Sequence, residues 1–285
     1  MRNLGLILII LLMMGTLCSK VVYSESLLQA AKKGDAEAQF YLGLCYANGE
    51  GIVQDTKEAV RWYRLAAEQG LAEAQFNLGV RYNNGEGIVQ NKKEAVRWYR
   101  LAAEQGLAEA QFNLGVRYNN GEGIVQDKKE AVRWYRLAAE QGLTDAQFNL
   151  GNCYNNGDGI VQDKKEAVRW YRLAAEQGYA YAQYNLGLCY YNGEGIVQDK
   201  KEAVRWFRLA AEQGIAFAQT NLGLCYGTGE GVILDYSEAY FWFLIASANG
   251  IDMAKDNREI AAKQLSKQQQ EQLQARARKW FTEHN

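Results

Sequence analysis

The chain of 285 residues contains no proline. Every interruption of regular structure must therefore come from glycine, asparagine or aspartate. Histidine is nearly absent as well. The one copy, His284, is the penultimate residue, so the body of the protein lacks the side chain on which general acid–base chemistry and zinc ligation most often rest. Net charge is −1, which leaves no basic excess for nucleic acid or acidic lipid. No phosphate-cradling loop, metal-ligand spacing or nucleophile–base constellation is present. Neither a cofactor nor a metal is expected, and no catalytic residue is assigned.

Long apolar runs are also scarce. The longest, "LGLILIILLMM" from Leu4 to Met14, follows Arg2 and is too short to span a bilayer as a helix, which takes about 20 residues. Val22 and Ser24 place compact residues at the −3 and −1 positions of a cut. Residues 1–24 thus read as a secretory signal peptide cut near Ser24, and a periplasmic or secreted location without later membrane insertion is the expectation. An uncleaved anchor and a lipid-modified Cys18 are the alternatives.

What the chain has in plenty is repetition. "KEAVRWYRLAAEQG" begins at Lys57, Lys93, Lys129 and Lys165, and returns at Lys201 with Phe207 in place of Tyr. The period is 36 residues, and six copies run without a gap: 35–70, 71–106, 107–142, 143–178, 179–214 and 215–250. Such a period signals stacked supersecondary units. In the second copy, Ala74, Leu78 and Tyr82 share one helical face. Gly79, which recurs in every copy, implies a close neighbour, because glycine inside a helix costs about 1 kcal/mol relative to alanine. "NNGEG" ends that helix. Asn91 with Glu94 has the spacing of a capping box for the next, as do Asp55 with Glu58 and their equivalents. Ala95, Trp98, Tyr99 and Ala102 form a buried stripe, and Gly106 closes the helix in a left-handed cap with Leu107 folding back. Each copy is therefore helix–turn–helix. Stacking is expected to bury Trp and Tyr between copies.

Residues 25–34 resemble a lone second helix and would seal the front, and residues 251–285 would seal the back. Ser266 with Gln269 starts an amphipathic helix there, carrying Leu273, Ala277, Trp280 and Phe281. In the sixth copy Phe241 and Leu244 replace the outward Arg97 and Arg100 of the second, which suits packing beneath that cap.

The stretch "AQFNLGVRYNNGEGIVQNKKEAVRWYRLAAEQG", Ala74 to Gly106, resembles the Sel-one-like repeat family, relatives of tetratricopeptide repeats. The resemblance covers nearly all of the chain after residue 24. It implies an all-α fold, a right-handed α-solenoid superhelix of six helix–turn–helix repeats with capping helices at both ends. It also implies a non-enzymatic scaffold binding a protein or extended peptide in a concave groove. Family members include envelope adaptors and periplasmic immunity proteins that neutralise toxins, and some cysteine-rich members resemble penicillin-binding enzymes. An envelope hydrolase acting on peptidoglycan or β-lactams and a toxin-immunity protein therefore stand as alternatives, and a monomer is the expected state. The cysteine-rich members carry a bridged pair in each repeat, where this chain has alanines such as Ala103 and Ala110. Its own Cys45, Cys153, Cys189 and Cys225 occupy one repeat position. Packed helices lie about 8–10 Å apart and a disulfide needs Cα atoms within about 7 Å, so four unpaired, buried thiols are expected.

Relatives line the groove with the first helix of each pair. On that helix the face left over from the core carries Asn77, Asn113, Asn149, Asn185 and Asn221, an asparagine ladder whose amides can donate and accept. Copy one has Tyr41 there. The ladder either grips a peptide backbone or is solvated and merely copied with its repeat. Where copies differ, specificity can reside. The position of Glu37, Glu73, Glu109 and Asp145 becomes Tyr181 and Phe217, and Leu188 and Leu224 follow on the same face. Aromatic anchors dominate interface energy, so the fifth and sixth copies are the expected binding hot spot. Better packing near the cap is the alternative reason for these changes.

Overall fold

The computed structural model describes residues 22–284. The apolar run at Leu4–Met14 and Cys18 lie outside the described residues. Fifteen helices and no strand occur among those described, and the chain is an all-α repeat solenoid. It forms two compact units, which meet in sequence at Leu107 and Ala108.

The first unit holds a front helix, Glu25–Lys32, and the first two copies, Ala36–Asn48 with Thr56–Glu68 and Ala72–Asn84 with Lys92–Glu104. Ser24 caps the front helix through Leu27 N–H, and Tyr23 N–H donates to Glu50 O at 3.0 Å. Tyr23, Leu27 and Leu28 pack with Ala31, Leu42 and Trp62, so the expected seal is present and begins before residue 25.

The second unit holds the remaining four copies. Their helix pairs are Ala108–Asn120 with Lys128–Glu140, Thr144–Asn156 with Lys164–Glu176, Ala180–Asn192 with Lys200–Glu212, and Ala216–Thr228 with Tyr236–Ala248. Helices Asp252–Ala262 and Lys267–His284 close its end. Phe241 is buried there under the Arg276 guanidinium, 3.8 Å from the ring centre, and Leu273, Trp280 and Phe281 pack on the same cluster. The apolar replacements in the sixth copy are explained by that cover.

Two contacts set the geometry of each copy. Inside the hairpin, the second-helix aromatic lies flat on the first-helix glycine. A methyl on Gly151 would sit 2.7 Å from ring carbons of Tyr171, and one on Gly187 2.7 Å from those of Phe207. Between copies, tryptophan reaches back: Trp98 joins the core of the first copy, Trp170 that of the third and Trp206 that of the fourth. The two aromatics thus divide the work that the repeat pattern assigned to both, the Tyr closing its own hairpin and the Trp joining it to the one before.

Buried glutamines add polar stitching that the apolar pattern does not reveal. Gln147 Nε2 donates to Ala139 O of the preceding copy at 3.3 Å, and its Oε1 accepts from Gln177 at 2.8 Å. The same relay runs through Gln75 with Ala67 and Gln105. The turn glycines complete the stack. Gly159, Gly195 and Gly231 press against Lys128 O, Lys164 O and Lys200 O of the copy before, at positive φ, so no side chain fits there. Lys128–Asp158, Lys164–Glu194 and Lys200–Glu230 pair across the same junctions.

One expectation fails. The second helices carry only half of a capping box. Asn91 Oδ1 accepts from Lys93 and Glu94 N–H, but the Asn91 N–H that Glu94 would reach donates instead to Tyr82 O at 2.8 Å. Glu94 turns to Arg97 at 3.3 Å. The turn has already consumed the donor. At Ser266 the N–H is free of such a turn, and Gln269 Oε1 accepts from it at 2.8 Å while Ser266 Oγ caps Gln269 N–H, giving the reciprocal box.

Cys45, Cys153, Cys189 and Cys225 are buried and form no disulfide among the described residues. Copies two and three place Arg81 and Arg117 at this position, and each reaches out to a turn glutamate, Glu86 and Glu122. Burial pushes the thiols of Cys153, Cys189 and Cys225 up to about 11.

Two outcomes are expected. Gly151→Ala, which would stabilise an open helix by up to about 1 kcal/mol, should here cost about 1–3 kcal/mol through overpacking against Tyr171, read as a lower urea midpoint. The raised thiols favour the fold fully below the unfolded thiol pKa, and that contribution is lost as the unfolded chain ionises first. Stability should fall from about pH 8.5 to about 11, with a shallower fall when Cys153, Cys189 and Cys225 are all alanine. Equal slopes by urea titration would show that the thiols play no part.

Candidate functional site

The first helices present the ladder because Ala, Gln, Leu and Gly at the remaining positions are consumed by packing. Gln147, Leu150 and Gly151 are buried, whereas Asn149 is half-buried. The rungs are not alike. Asn77, Asn113 and Asn149 each fold an amide N–H onto the carbonyl four residues earlier, at 2.8, 2.8 and 2.9 Å. One amide N–H of each is thus used within its own helix. Asn185 donates instead to Asn152 Oδ1 of the preceding copy at 3.4 Å. Burial pushes the Tyr184 phenol up, and the Asn221 side chain beside it partly offsets that shift.

The fifth and sixth copies carry the apolar end of this face. Tyr181 is 56% and Phe217 58% exposed. Each is backed by other rings. Phe148, Tyr179 and Tyr181 form a triangle with centroid separations of 5.0, 6.2 and 6.4 Å, and Phe217 stacks on Tyr184 at 6.3 Å and 28°. Leu188 and Leu224 are half-buried against the core beneath them. The rings thus pack on one another while two of them face water, and such bracing lowers the ordering cost of binding. Tyr191, also on these copies, is tied down: its hydroxyl bonds Glu230, which drives its ionisation up to about 12, and Lys200 sits 5.1 Å over its ring.

The second helices show a solvated outer face. Arg133, Arg169 and Arg205 pair with the glutamate three residues before and lie 5.1–5.4 Å over the neighbouring Trp ring. No group of three His, Cys, Asp or Glu side chains among the described residues is placed to hold a metal ion. His284 stacks on Trp280 at 4.3 Å. No described helix is long and apolar enough to cross a membrane.

Residue-by-residue reading missed one surface feature. The valine after each turn, Val125, Val161 and Val197, with Ile233 in the sixth copy, is 85–87% exposed. Its signal in the sequence is a Val or Ile at this position in every copy, beside another aliphatic residue.

Six matches to the Sel1 repeat fall at residues 36–71, 72–107, 108–143, 144–179, 180–215 and 216–251. The chain belongs to the Sel1 repeat family. Repeats of this family generally act as non-enzymatic scaffolds for protein interactions. A protective antigen with an SLR fold from uropathogenic Escherichia coli is similar over 92% of this chain at 37% identity, with a TM-score of 0.83. This chain spans 56% of that antigen's length. A Sel1 repeat protein from Oxalobacter formigenes is similar over 78% of this chain and 95% of its own, at 34% identity and a TM-score of 0.66. No match is found among curated protein sequences.

Proposed function

We propose that this Sel1 repeat chain is a non-enzymatic scaffold of the bacterial envelope or secreted space, and that it holds an extended segment of a partner protein. The contact surface is the first-helix face of residues 108–284, with Asn113, Asn149, Asn185 and Asn221 along it and Tyr181, Leu188, Phe217 and Leu224 as its apolar end. Asn77 offers the same chemistry on the first unit. The observation that carries this reading is the exposure of Tyr181 and Phe217. Both replace an acid of the other copies, and both are braced by neighbouring rings rather than covered. Large aromatic side chains left in water at fixed positions are the usual anchors of an interface. Export rests on Arg2 and the apolar run that follows it.

Peptides enriched on the immobilised full chain from a displayed random library provide the test. Tyr181→Ala with Phe217→Ala should weaken their binding about 30-fold or more by fluorescence anisotropy, as loss of a hot spot does. Unchanged affinity would place the binding surface elsewhere. Fractionation of cells making the native chain should find it in the periplasm or medium; retention in the cytoplasm would refute export.

A further inference from the structure

One position on the same face breaks the repeat. Where the other copies carry Leu44, Val80, Val116, Leu188 and Leu224, the fourth carries Asn152. Its Oδ1 accepts from the Tyr171 hydroxyl at 2.8 Å and from Asn185 Nδ2 at 3.4 Å. A recess of about 170 Å³ opens here between the fourth and fifth copies. Asn152, Asn155, Tyr171, Asn185, Leu188 and Glu194 line it.

The hydrogen bonds decide what it can hold. Lys164 Nζ bridges Asn155 Oδ1 at 2.9 Å and Glu194 Oε2 at 3.0 Å, so the charges at the edge neutralise each other. With Oδ1 doubly engaged, Asn152 turns its Nδ2 away from Tyr171, and that donor has no partner among the described residues. Asn185 spends its Nδ2 on Asn152, which leaves its Oδ1 as an acceptor. An anion would meet Glu194 and a cation would meet Lys164. An apolar group would strand both amide groups without hydrogen bonds, which is costly once water is displaced. A group with one acceptor and one donor satisfies both, and the peptide unit of an extended chain is such a group.

We infer that this recess grips one backbone peptide unit of the bound segment, Asn152 Nδ2 donating to its carbonyl oxygen and Asn185 Oδ1 accepting from its N–H. The inference rests on the peptide-binding reading above and names the point at which the partner's main chain is fixed, a few residues along the face from the aromatic anchors. Recognition of main chain at Asn152 and of side chains at Tyr181 and Phe217 would set the register of the segment.

Asn152→Val restores the residue of the second and third copies. In the third, Val116 packs in the cluster that buries Tyr135, so the hairpin accepts valine at this position. Peptides enriched on the full chain, and versions with each backbone N–H methylated in turn, are titrated against the native chain and this variant. Methylation at one position should weaken native binding about tenfold, the size of a lost main-chain hydrogen bond. Asn152→Val should weaken the unmodified peptide by a similar factor. Because Asn152 anchors Asn185 as well, the two losses should not add. Full affinity of Asn152→Val for every peptide, or penalties that multiply independently, would overturn the inference. If Tyr181→Ala with Phe217→Ala loses affinity while Asn152→Val does not, the recess is wrong and the aromatic face stands. If neither variant matters, both readings fall.

Discussion

The ring of Tyr171 against Gly151, and its equivalents at Tyr99 on Gly79 and Phe207 on Gly187, set the distance on which everything else depends. A flat aromatic on a bare backbone brings the two helices of a hairpin closer than any side chain on the first helix would allow. At that spacing the tryptophan of the second helix lies on the side of its hairpin that meets the preceding copy. It can be buried only by the preceding copy, which is where Trp98, Trp170 and Trp206 go. A single hairpin would leave its indole in water, so the stack is driven by the remainder that each copy cannot bury alone.

Stacking in this way uses the same residues in every copy and leaves the same residues over. A face built from leftovers has no reason to differ from copy to copy, and in the second and third copies it does not: Glu73 and Asn77 recur as Glu109 and Asn113. Function in such an array is carried by departures from the repeat. The acid that becomes Tyr181 and Phe217, and the aliphatic that becomes Asn152, all fall on one face and within three successive copies. The buried glutamines, the turn glycines and the caps, which hold the scaffold, do not vary in kind.

The fold was legible because its signals are local and repeated six times. The period, the left-handed glycine caps and the glycine beneath the aromatic each follow from spacing within one copy. Readings that failed or stopped short depended on a competitor elsewhere in the fold. The spacing of Asn91 and Glu94 matches a capping box, but the needed N–H is taken by Tyr82 O, a residue nine positions earlier whose carbonyl is brought round by the turn. Gln75 reads as an ordinary polar letter, yet it is buried because two hydrogen-bond partners from two second helices meet it there. The asparagines could be placed on one face from their spacing. Their spare donors could not be counted, because Asn149 spends one on its own helix and Asn185 on a neighbour.

Sequence alone settled what each copy is: a helical hairpin with a bare backbone strip, an aromatic pair and a charged back, in a chain too poor in histidine to favour general acid–base chemistry. It settled this because helix periodicity, capping and glycine conformation act over a few residues. Which aromatic closes its own hairpin and which joins the next, and which asparagine keeps a free donor, were decided only by the stacked structure. The tryptophan is settled by the preceding copy and Asn185 by Asn152 of the copy before it, partners that spacing within one repeat does not specify.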